Sequence, residues 1–266
     1  MLVRETLVIH SRLSWRQARG AAAIERQHGL QALAIEHVAA RLAGGFLQPI
    51  NPDSLKEAIG EAIAMDLGEF NDIKALPGFS RAAAATLKKA WASGLKFTEL
   101  AKTSDAIVRS RIDAVTRLED EVLKRLPPSM RRPADLVELA LPHLRHAKTL
   151  FGAIQVLGRT EMSPVWRPFL AALKNVTDVR WVAGPRQVPA WVRALGIAVV
   201  WTPPERPEIQ SESCASPRHE ALEAMRWARA LLASGRAKPE EIAIAAASPA
   251  EWDDQARGNE KAFWYA

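Results

Sequence analysis

The spacing of hydrophobic positions changes along the chain, and it begins with a strand-like pattern. Short apolar runs at Leu7–Ile9 and Leu30–Ile35 predict two buried strands, each followed by a segment with helical spacing. Ser14 is placed to cap the first helix, which we expect to run from Trp15 to Gln27. This alternation favours an open parallel sheet covered by helices.

The middle of the chain, residues 51–150, has helical periodicity and few strand signals. Ser54 and Glu57 have the spacing of a capping box, which predicts the start of a helix there. The longest amphipathic run extends from Leu100 to Leu126, and a further helix is predicted over Ala134–Leu150 with a bend at Pro142. We therefore expect an all-helical insertion within the sheet domain.

Strand–helix alternation returns after residue 150. Strands are predicted at Ala153–Leu157, Val179–Val182 and Ile197–Trp201. Ser216 and Pro217 form a strong helix start, and Ile242–Ala247 predicts one more strand, so a second α/β unit is expected to begin here. The predicted parts are a discontinuous α/β domain over 1–50 and 151–204, the helical insertion over 51–150, and a linker with the start of a second domain over 205–266.

Composition narrows the class of protein only modestly. Of the 266 residues, 48% are hydrophobic and 25% are charged, as in an ordinary globular protein. The net charge of +6 permits a polyanionic partner without requiring one. Cys214 is the only cysteine, which excludes an internal disulfide and a cysteine zinc cluster. No signal peptide or membrane-spanning segment is predicted, so we expect a cytoplasmic protein without a membrane partner.

Two short boxes carry the most specific information. The first is Val156–Pro164, VLGRTEMSP, and the second is Trp181–Trp191, WVAGPRQVPAW. Their order resembles the core of UvrD-type superfamily 1 helicases, in which a strand ends in D-E-x-Q-D-x-x-P and the next strand ends in V-G-D-x-x-Q. The resemblance implies a P-loop-NTPase-like (RecA-like) α/β fold with a parallel sheet.

The resemblance also implies that the ATPase is inactivated. Leu157 and Gly158 stand where the magnesium-binding acids belong, and neither residue can bind a metal. Gly184 and Gln187 match the glycine and glutamine of the other box, and we expect Gln187 to be structural. The sequence has no G-x-x-x-x-G-K-[ST] phosphate loop. We therefore predict no catalytic residue, no cofactor and no metal for this chain.

The segment from Ser216 through Trp227 and Gly235 to Ile244 is similar to AddB and RecC-like subunits of bacterial helicase–nucleases. The resemblance implies a non-catalytic role in recombination and double-strand-break DNA repair, with DNA and an AddA-like motor subunit as partners. The nuclease motif of those subunits is absent from this sequence.

Eight basic residues are candidates for DNA contact. The helicase resemblance nominates Arg12, Arg16 and His37, close to the first two strands. The basic face of the long helix and the linker after it add Arg109, Arg111, Arg117, Arg131 and Arg132, which could neutralise backbone phosphates.

Other interpretations remain open. One is a small-molecule α/β enzyme with a pocket near Gly184, and another is a protein-interaction module without nucleic-acid binding. His143 and His146 could share a helix face and bind a metal, although further ligands are not evident. The acids at 119–121 fit a solvated helix face better than a catalytic cluster.

Overall fold

The computed structural model describes residues 4–9, 11–203 and 209–245. In chain order its strands and α-helices are β1 (Glu5–Val8), α1 (Arg12–Ile24), β2 (Leu30–Leu33), α2 (Ile35–Ala43), β3 (Gln48–Pro49), α3 (Pro52–Ala62), α4 (Phe79–Ser93), α5 (Phe97–Thr103), α6 (Ala106–Arg125), β4 (Met130–Arg131), α7 (Pro133–Ala140), α8 (Ala147–Phe151), β5 (Ala153–Leu157), α9 (Arg167–Lys174), β6 (Val179–Gly184), α10 (Ala190–Ala194), β7 (Ala198–Trp201) and α11 (Pro217–Ala233). Short 3-10 helices occupy Gly68–Asp72, Leu141–His146, Pro164–Trp166 and Pro239–Glu241.

The main sheet confirms the predicted α/β class. Its five strands are all parallel and lie in the order β2-β1-β5-β6-β7. Strands β5 and β6, which carry the two boxes, are neighbours with Ile154 opposite Val179. After β1 the chain forms β2 at one edge of the sheet, and after β5 it forms β6 and β7 toward the other edge. The strand order therefore reverses between β1 and β5. In open parallel sheets, ligands bind at the carboxyl ends of the strands where this reversal occurs.

Alternate residues of the strands form the core on one face of the sheet. Ile154 and Val156 of β5 and Trp181 of β6 are fully buried there. Helices α2, α7 and α9 add apolar residues to the same cluster, among them Val38 and Phe169. Alternate strand residues and the apolar faces of the covering helices therefore form one apolar layer.

The helical insertion is closed at its base by a second, two-stranded parallel sheet. Gln48 of β3 lies opposite Met130 of β4, and Pro49 lies opposite Arg131. Between these strands, helices α3 to α6 enclose an apolar cluster of their own, with Ile59, Leu87, Trp91, Leu118 and Val122 at its centre. We call the β3–β4 pair the neck of the insertion.

Helices α7 and α8 follow the neck and pack with the sheet. Leu136, Ala140 and Ala147 belong to the cluster under the sheet, although they fall within the predicted insertion at 51–150. Helical periodicity could not reveal this, because it shows that a face is apolar without showing which partner covers it. Pro142 lies in the 3-10 helix between α7 and α8, where the bend was predicted.

Three predicted helix boundaries were wrong. Ser11 caps α1 in place of Ser14, whose own amide donates to Ser11 Oγ at 3.1 Å. Asn51 caps α3, with its Oδ1 2.8 Å from the Ser54 amide, so the predicted capping box does not form. The long amphipathic run is divided into α5 and α6, because Asp105 caps a new helix by accepting from the Val108 amide at 2.9 Å.

The chain divides into two compact units, Met1–Glu205 and Arg206–Ala266. In the second unit, α11 begins as predicted, with Ser216 as its cap and Pro217 as its first residue. The predicted strand Ile242–Ala247 is not supported: 242–245 form no strand, and residues 246 and 247 lie outside the described residues. Among the described residues, no helix has both the length and the apolar character to cross a bilayer.

Gly152, at the start of β5, provides a test of the sheet. Its φ is +65°, and a Cβ there would lie 1.6 Å from the carbonyl oxygen of Arg4. We expect Gly152→Ala to lower the free energy of unfolding by roughly 3 kcal/mol or more, because strain and overlap add. Chemical denaturation followed by circular dichroism measures the change.

The matched control for this substitution is Gly60→Ala. Gly60 lies within α3, and a Cβ there would meet nothing within 4 Å. Removing a helical glycine should therefore stabilise the protein by about 0.5–1 kcal/mol. Equal effects of the two substitutions would contradict the described packing of β1 against β5.

Candidate functional site

The carboxyl edge of β1 and β2 is the place where two helices begin. Val8 and Leu33 lie opposite each other at the ends of these strands, and the Ile9 amide donates to Leu33 O at 2.9 Å. The turns that follow are short, so the first residues of α1 and α2 remain at this edge. An N-terminal helix end carries partial positive charge from its free amides.

A cleft of about 380 Å³, which we call the edge cleft, opens between these two helix starts. Its lining consists of Ile9, Ser11, Trp15, Ala32, Leu33, Ala34 and His37. Most of the wall is apolar, and Trp15 and His37 supply its large polar-tipped side chains. The indole of Trp15 is 40% exposed, which leaves part of it accessible to a ligand.

Helix α1, which supplies Trp15 to the edge cleft, has a basic composition. It contains three arginines and no acidic residue. The Arg19 guanidinium lies 4.5 Å from the centre of the Trp15 ring, where the cation attracts the ring face and holds it in place. Arg16 is exposed on the same helix, and Arg12 is its first residue. The structure thus brings Arg16 and His37 to one edge, while the Arg12 side chain lies outside the described part.

The neighbouring part of this edge contains Arg159, in the loop that follows β5. Its Nε is buried and has no hydrogen-bond partner. Burial lowers the pKa of Arg159, and the charge of Glu36 in the first turn of α2 partly offsets that effect. The sequence interpretation did not nominate this residue, because the helicase alignment directed attention to the two positions before it.

The two boxes are joined through a single carboxylate. Trp191 Nε1 and Arg167 Nη2 donate to Glu161 Oε1 at 2.6 Å and 3.2 Å, and the Met162 amide donates to the same oxygen at 2.8 Å. Arg167 also lies over the Trp191 ring at 5.0 Å, and that ring packs edge-on against Trp181. The boxes therefore form one polar and aromatic connection between the β5 and β6 loops.

The four positions matched to the helicase boxes lie at or after the ends of β5 and β6. Leu157 is the half-buried last residue of β5, and Gly158 and Gly184 have φ of +64° and +59°, a region that favours glycine. Gln187 is exposed and makes no hydrogen bond within the described residues. The expectation that Gln187 is structural therefore finds no support in its contacts.

The basic face of α6 is largely engaged with its own surroundings. Arg109 donates to the carbonyls of Ala101 and Ser104 at 3.2 Å and 3.0 Å, at the end of α5. Arg111 Nε lies 3.5 Å from Glu69 Oε1. Asp66 receives hydrogen bonds from Asn71 and the Gly68 amide, which lower its pKa together with the nearby charge of Arg117. These exposed contacts are weak, but they compensate much of the positive charge.

Arg131 and Arg132 are also committed to local contacts. Arg131 Nη1 donates to the carbonyls of Pro128 and Met130. Arg132 forms a two-point pair with Asp135, with both distances 2.9 Å, and donates to Glu119 at 3.0 Å. The hydrogen bonds that Arg132 donates to Asp135 raise the pKa of Arg132. Arg132 therefore stabilises the start of α7, and its donors are engaged by Asp135 and Glu119.

Glu119 corrects the prediction of a solvated acidic face. It is buried, with 8% exposure, and its Oε1 accepts from Trp91 Nε1 at 2.5 Å as well as from Arg132. Only its neighbours fit the prediction: Asp120 is exposed, and Glu121 pairs with Lys124 and Arg125 on the same helix. Spacing alone could not show that the first acid of the run faces the core.

His143 and His146 lie in the 3-10 helix between α7 and α8, and no further metal-binding side chain joins them among the described residues. His146 Nε2 accepts from Arg145 Nε at 3.1 Å, and His143 is exposed. In the part of the chain that the structure describes, no group of three or more potential metal ligands occurs.

No family model matches this sequence, and no curated protein matches it. The functional interpretation therefore depends on the geometry of the sheet edge and on the order of the two boxes. Neither Trp15 nor Arg19 was nominated from the sequence; the one signal that links them is their spacing of four residues, which places them on the same face of a helix.

Glu161 provides a pH test of the connection between the boxes. Burial works to raise its pKa, but the hydrogen bonds from Met162 and Trp191 and the charge of Arg167 outweigh it, so the pKa is lowered. Because the pKa of Glu161 is lowered in the folded protein, its charged carboxylate stabilises the fold at pH values above the ordinary pKa of a glutamate. This stabilisation is lost as the pH falls through the pKa of Glu161 in the folded state. Glu161→Gln should cost about 1 kcal/mol near neutral pH.

Thermal unfolding of the wild type and Glu161→Gln between pH 7 and pH 3 measures this contribution. The difference in Tm should be largest near neutrality and should close as the pH falls below about 4. Glu138→Gln, at an exposed position of α7, serves as the control and should show no such trend. A pH-independent difference would show that the charge of Glu161 has no part in the connection.

Proposed function

We propose that this chain is a non-catalytic, helicase-like module that binds DNA at the carboxyl edge of its parallel sheet. The observation that carries the proposal is the edge cleft, where Trp15 and His37 line the space between two helix starts. The exposed Arg16 is the residue next to Trp15 on α1. An aromatic ring beside arginines and helix amides is the combination used to hold single-stranded nucleic acid without reading its sequence.

Each part of the edge would contribute a different kind of contact. The exposed Arg16 and the start of α1 would neutralise backbone phosphates, because free amides and guanidinium groups both attract anions. The exposed part of Trp15 would stack on a base, while Arg19 keeps the ring in position. His37 would donate a hydrogen bond from the opposite wall.

The RecA-like assignment is part of this proposal. It is supported by the adjacent, parallel placement of β5 and β6 with their boxes in the helicase order. It is also supported by the reversal of strand order between β1 and β5, since doubly wound nucleotide- and nucleic-acid-binding folds share this arrangement.

We further propose that the chain does not hydrolyse ATP and acts beside a motor subunit in an AddB/RecC-type assembly for double-strand-break repair. Leu157 and Gly158 offer no oxygen ligand on their side chains, so they cannot hold the magnesium ion that phosphoryl transfer requires. Among the residues that the structure describes, His37 is the one titratable side chain in the wall of the edge cleft, which gives little basis for acid–base chemistry there.

DNA binding can be measured by fluorescence anisotropy with a labelled oligothymidylate and with a duplex that carries a single-stranded tail. We expect salt-dependent binding by the wild type. Trp15→Ala should lose about 1–3 kcal/mol of binding free energy with an unchanged salt slope, because it removes stacking alone. Arg16→Gln should weaken binding and reduce the slope of log K against log salt by about 0.7, because one phosphate contact is lost.

Two substitutions outside the edge serve as matched controls. Trp227→Ala removes a tryptophan with 49% exposure on α11, and Arg81→Gln removes an exposed charge on α4. Both should retain wild-type affinity. Binding that is insensitive to Trp15 and Arg16, or ATP-dependent unwinding by the chain alone, would overturn the proposal.

A further inference from the structure

A second pocket lies at the opposite ends of the same strands, where β1, β2 and β5 begin. It has a volume of about 350 Å³, and its polar wall is formed by Arg4, Gln31 and Arg41. Leu150 and Phe151 supply part of its apolar wall. We call it the amino-edge pocket. Among the described residues, it has no lining residue in common with the edge cleft.

Hydrogen bonds hold both guanidinium groups of the amino-edge pocket in place. Arg4 Nη1 donates to Thr149 O at 2.8 Å. Arg41 Nη1 donates to Gln31 Oε1 at 2.8 Å, and Gln31 Nε2 donates to Leu150 O at 2.9 Å. The two arginines are therefore anchored on consecutive carbonyl groups of α8, one directly and the other through Gln31. Groups that are held in advance lose less conformational entropy when a ligand binds.

The charge of these two arginines is not balanced within the pocket. Its described lining contains no acidic residue, and no carboxylate of the described residues lies within 4.0 Å of either guanidinium. Arg4 and Arg41 are both exposed, and the hydrogen bonds described above use Nη1 alone. Because a guanidinium has five N–H donors, Nε and Nη2 of each residue keep donors for a ligand.

The charge and shape of the amino-edge pocket favour one class of anion. Planar guanidinium groups match the oxygens of phosphates and carboxylates. A phosphomonoester carries about −1.5 to −2 charges near pH 7, which matches two arginines better than the single charge of a carboxylate. The volume of about 350 Å³ also falls in the range of small-molecule sites, roughly 300–1,000 Å³.

We infer that the amino-edge pocket binds a phosphomonoester, with the phosphate between Arg4 and Arg41 and the organic part against Leu150. This goes beyond the proposed function, because the pocket lies at the other end of the strands from the edge cleft and does not depend on DNA binding there. Two sources carry the group: a small phosphorylated molecule and the phosphorylated 5′ end of a nucleic-acid strand.

Isothermal titration calorimetry at constant ionic strength tests the site with inorganic phosphate and phenyl phosphate. The wild type should bind both saturably, and phenyl phosphate should bind more tightly because its ring contacts the apolar wall. Arg41→Gln should weaken binding roughly tenfold or more, because charge-assisted hydrogen bonds are lost. Arg193→Gln, at an exposed position of α10, is the charge-matched control and should bind like the wild type.

Arg41 is the more decisive of the two positions, because its hydrogen bond is to the side chain of Gln31 and its loss leaves the backbone contacts intact. Arg41→Gln should therefore keep the Tm of the wild type while it loses affinity. Arg41→Lys should recover part of the affinity, because the charge returns without the planar fork. Arg4→Gln should also weaken binding, and its Tm shows separately what the contact with Thr149 contributes.

Competition followed by the phosphorus NMR line of phenyl phosphate separates the two sources. The measurement uses the Trp15→Ala protein, so that binding at the edge cleft contributes less. Displacement by oligothymidylate only when it carries a 5′ phosphate would assign the site to a strand end, and displacement by neither form would assign it to a small molecule. Equal displacement by both forms would contradict a phosphomonoester site, because a backbone phosphate would then suffice.

Absence of saturable phenyl phosphate binding by the wild type, or equal affinities of the wild type and Arg41→Gln, would overturn the inference. These results are independent of the test of DNA binding, which depends on Trp15 and Arg16. Loss of DNA affinity in Trp15→Ala and loss of phenyl phosphate affinity in Arg41→Gln each decide one proposal and leave the other in place.

Discussion

The parallel pairing of β1 with β5 organises the rest of the molecule. These strands are brought together across a long stretch of chain, with the buried Thr6 Oγ1 donating to Phe151 O at 2.9 Å across a sequence separation of 145 residues. The same pairing requires Gly152, whose missing side chain leaves room for the Arg4 carbonyl. Because β2 joins one side of this pair and β6 the other, the reversal of strand order follows directly from it.

The edge cleft is formed by residues that hydrophobic patterning cannot assign to a common site. Trp15 and His37 come from helices that follow different strands, and they share a cleft only because β1 and β2 end in register. By contrast, the basic face of α6 was evident as a pattern, yet its arginines contact carbonyls and acids nearby. A row of arginines on one helix face is therefore weak evidence for a polyanion site when neighbouring groups already accept their hydrogen bonds.

The sequence was informative at several places where local physics decides the structure. Strand β5, the cap at Ser216 and the parallel neighbours β5 and β6 follow from apolar spacing, capping chemistry and box order. The sequence was less informative where a contact with a residue far along the chain decides the environment of a side chain. Glu119 is buried because Trp91 and Arg132 meet it from other elements, and the Nε of Arg159 is buried without a hydrogen-bond partner. Neither fact is encoded in the residues next to them.

The neck of the insertion has a consequence for chain entropy. Residues between Pro49 and Met130 leave and return through two adjacent strands, so their apolar cluster can assemble around contacts of its own. Once the neck has formed, those residues no longer belong to the flexible loop that must close before β1 meets β5. Loop-closure entropy rises with the number of flexible residues, so the folded insertion shortens the effective separation between the two central strands. A segment that interrupts the sheet in sequence thus lowers the entropic barrier to forming it.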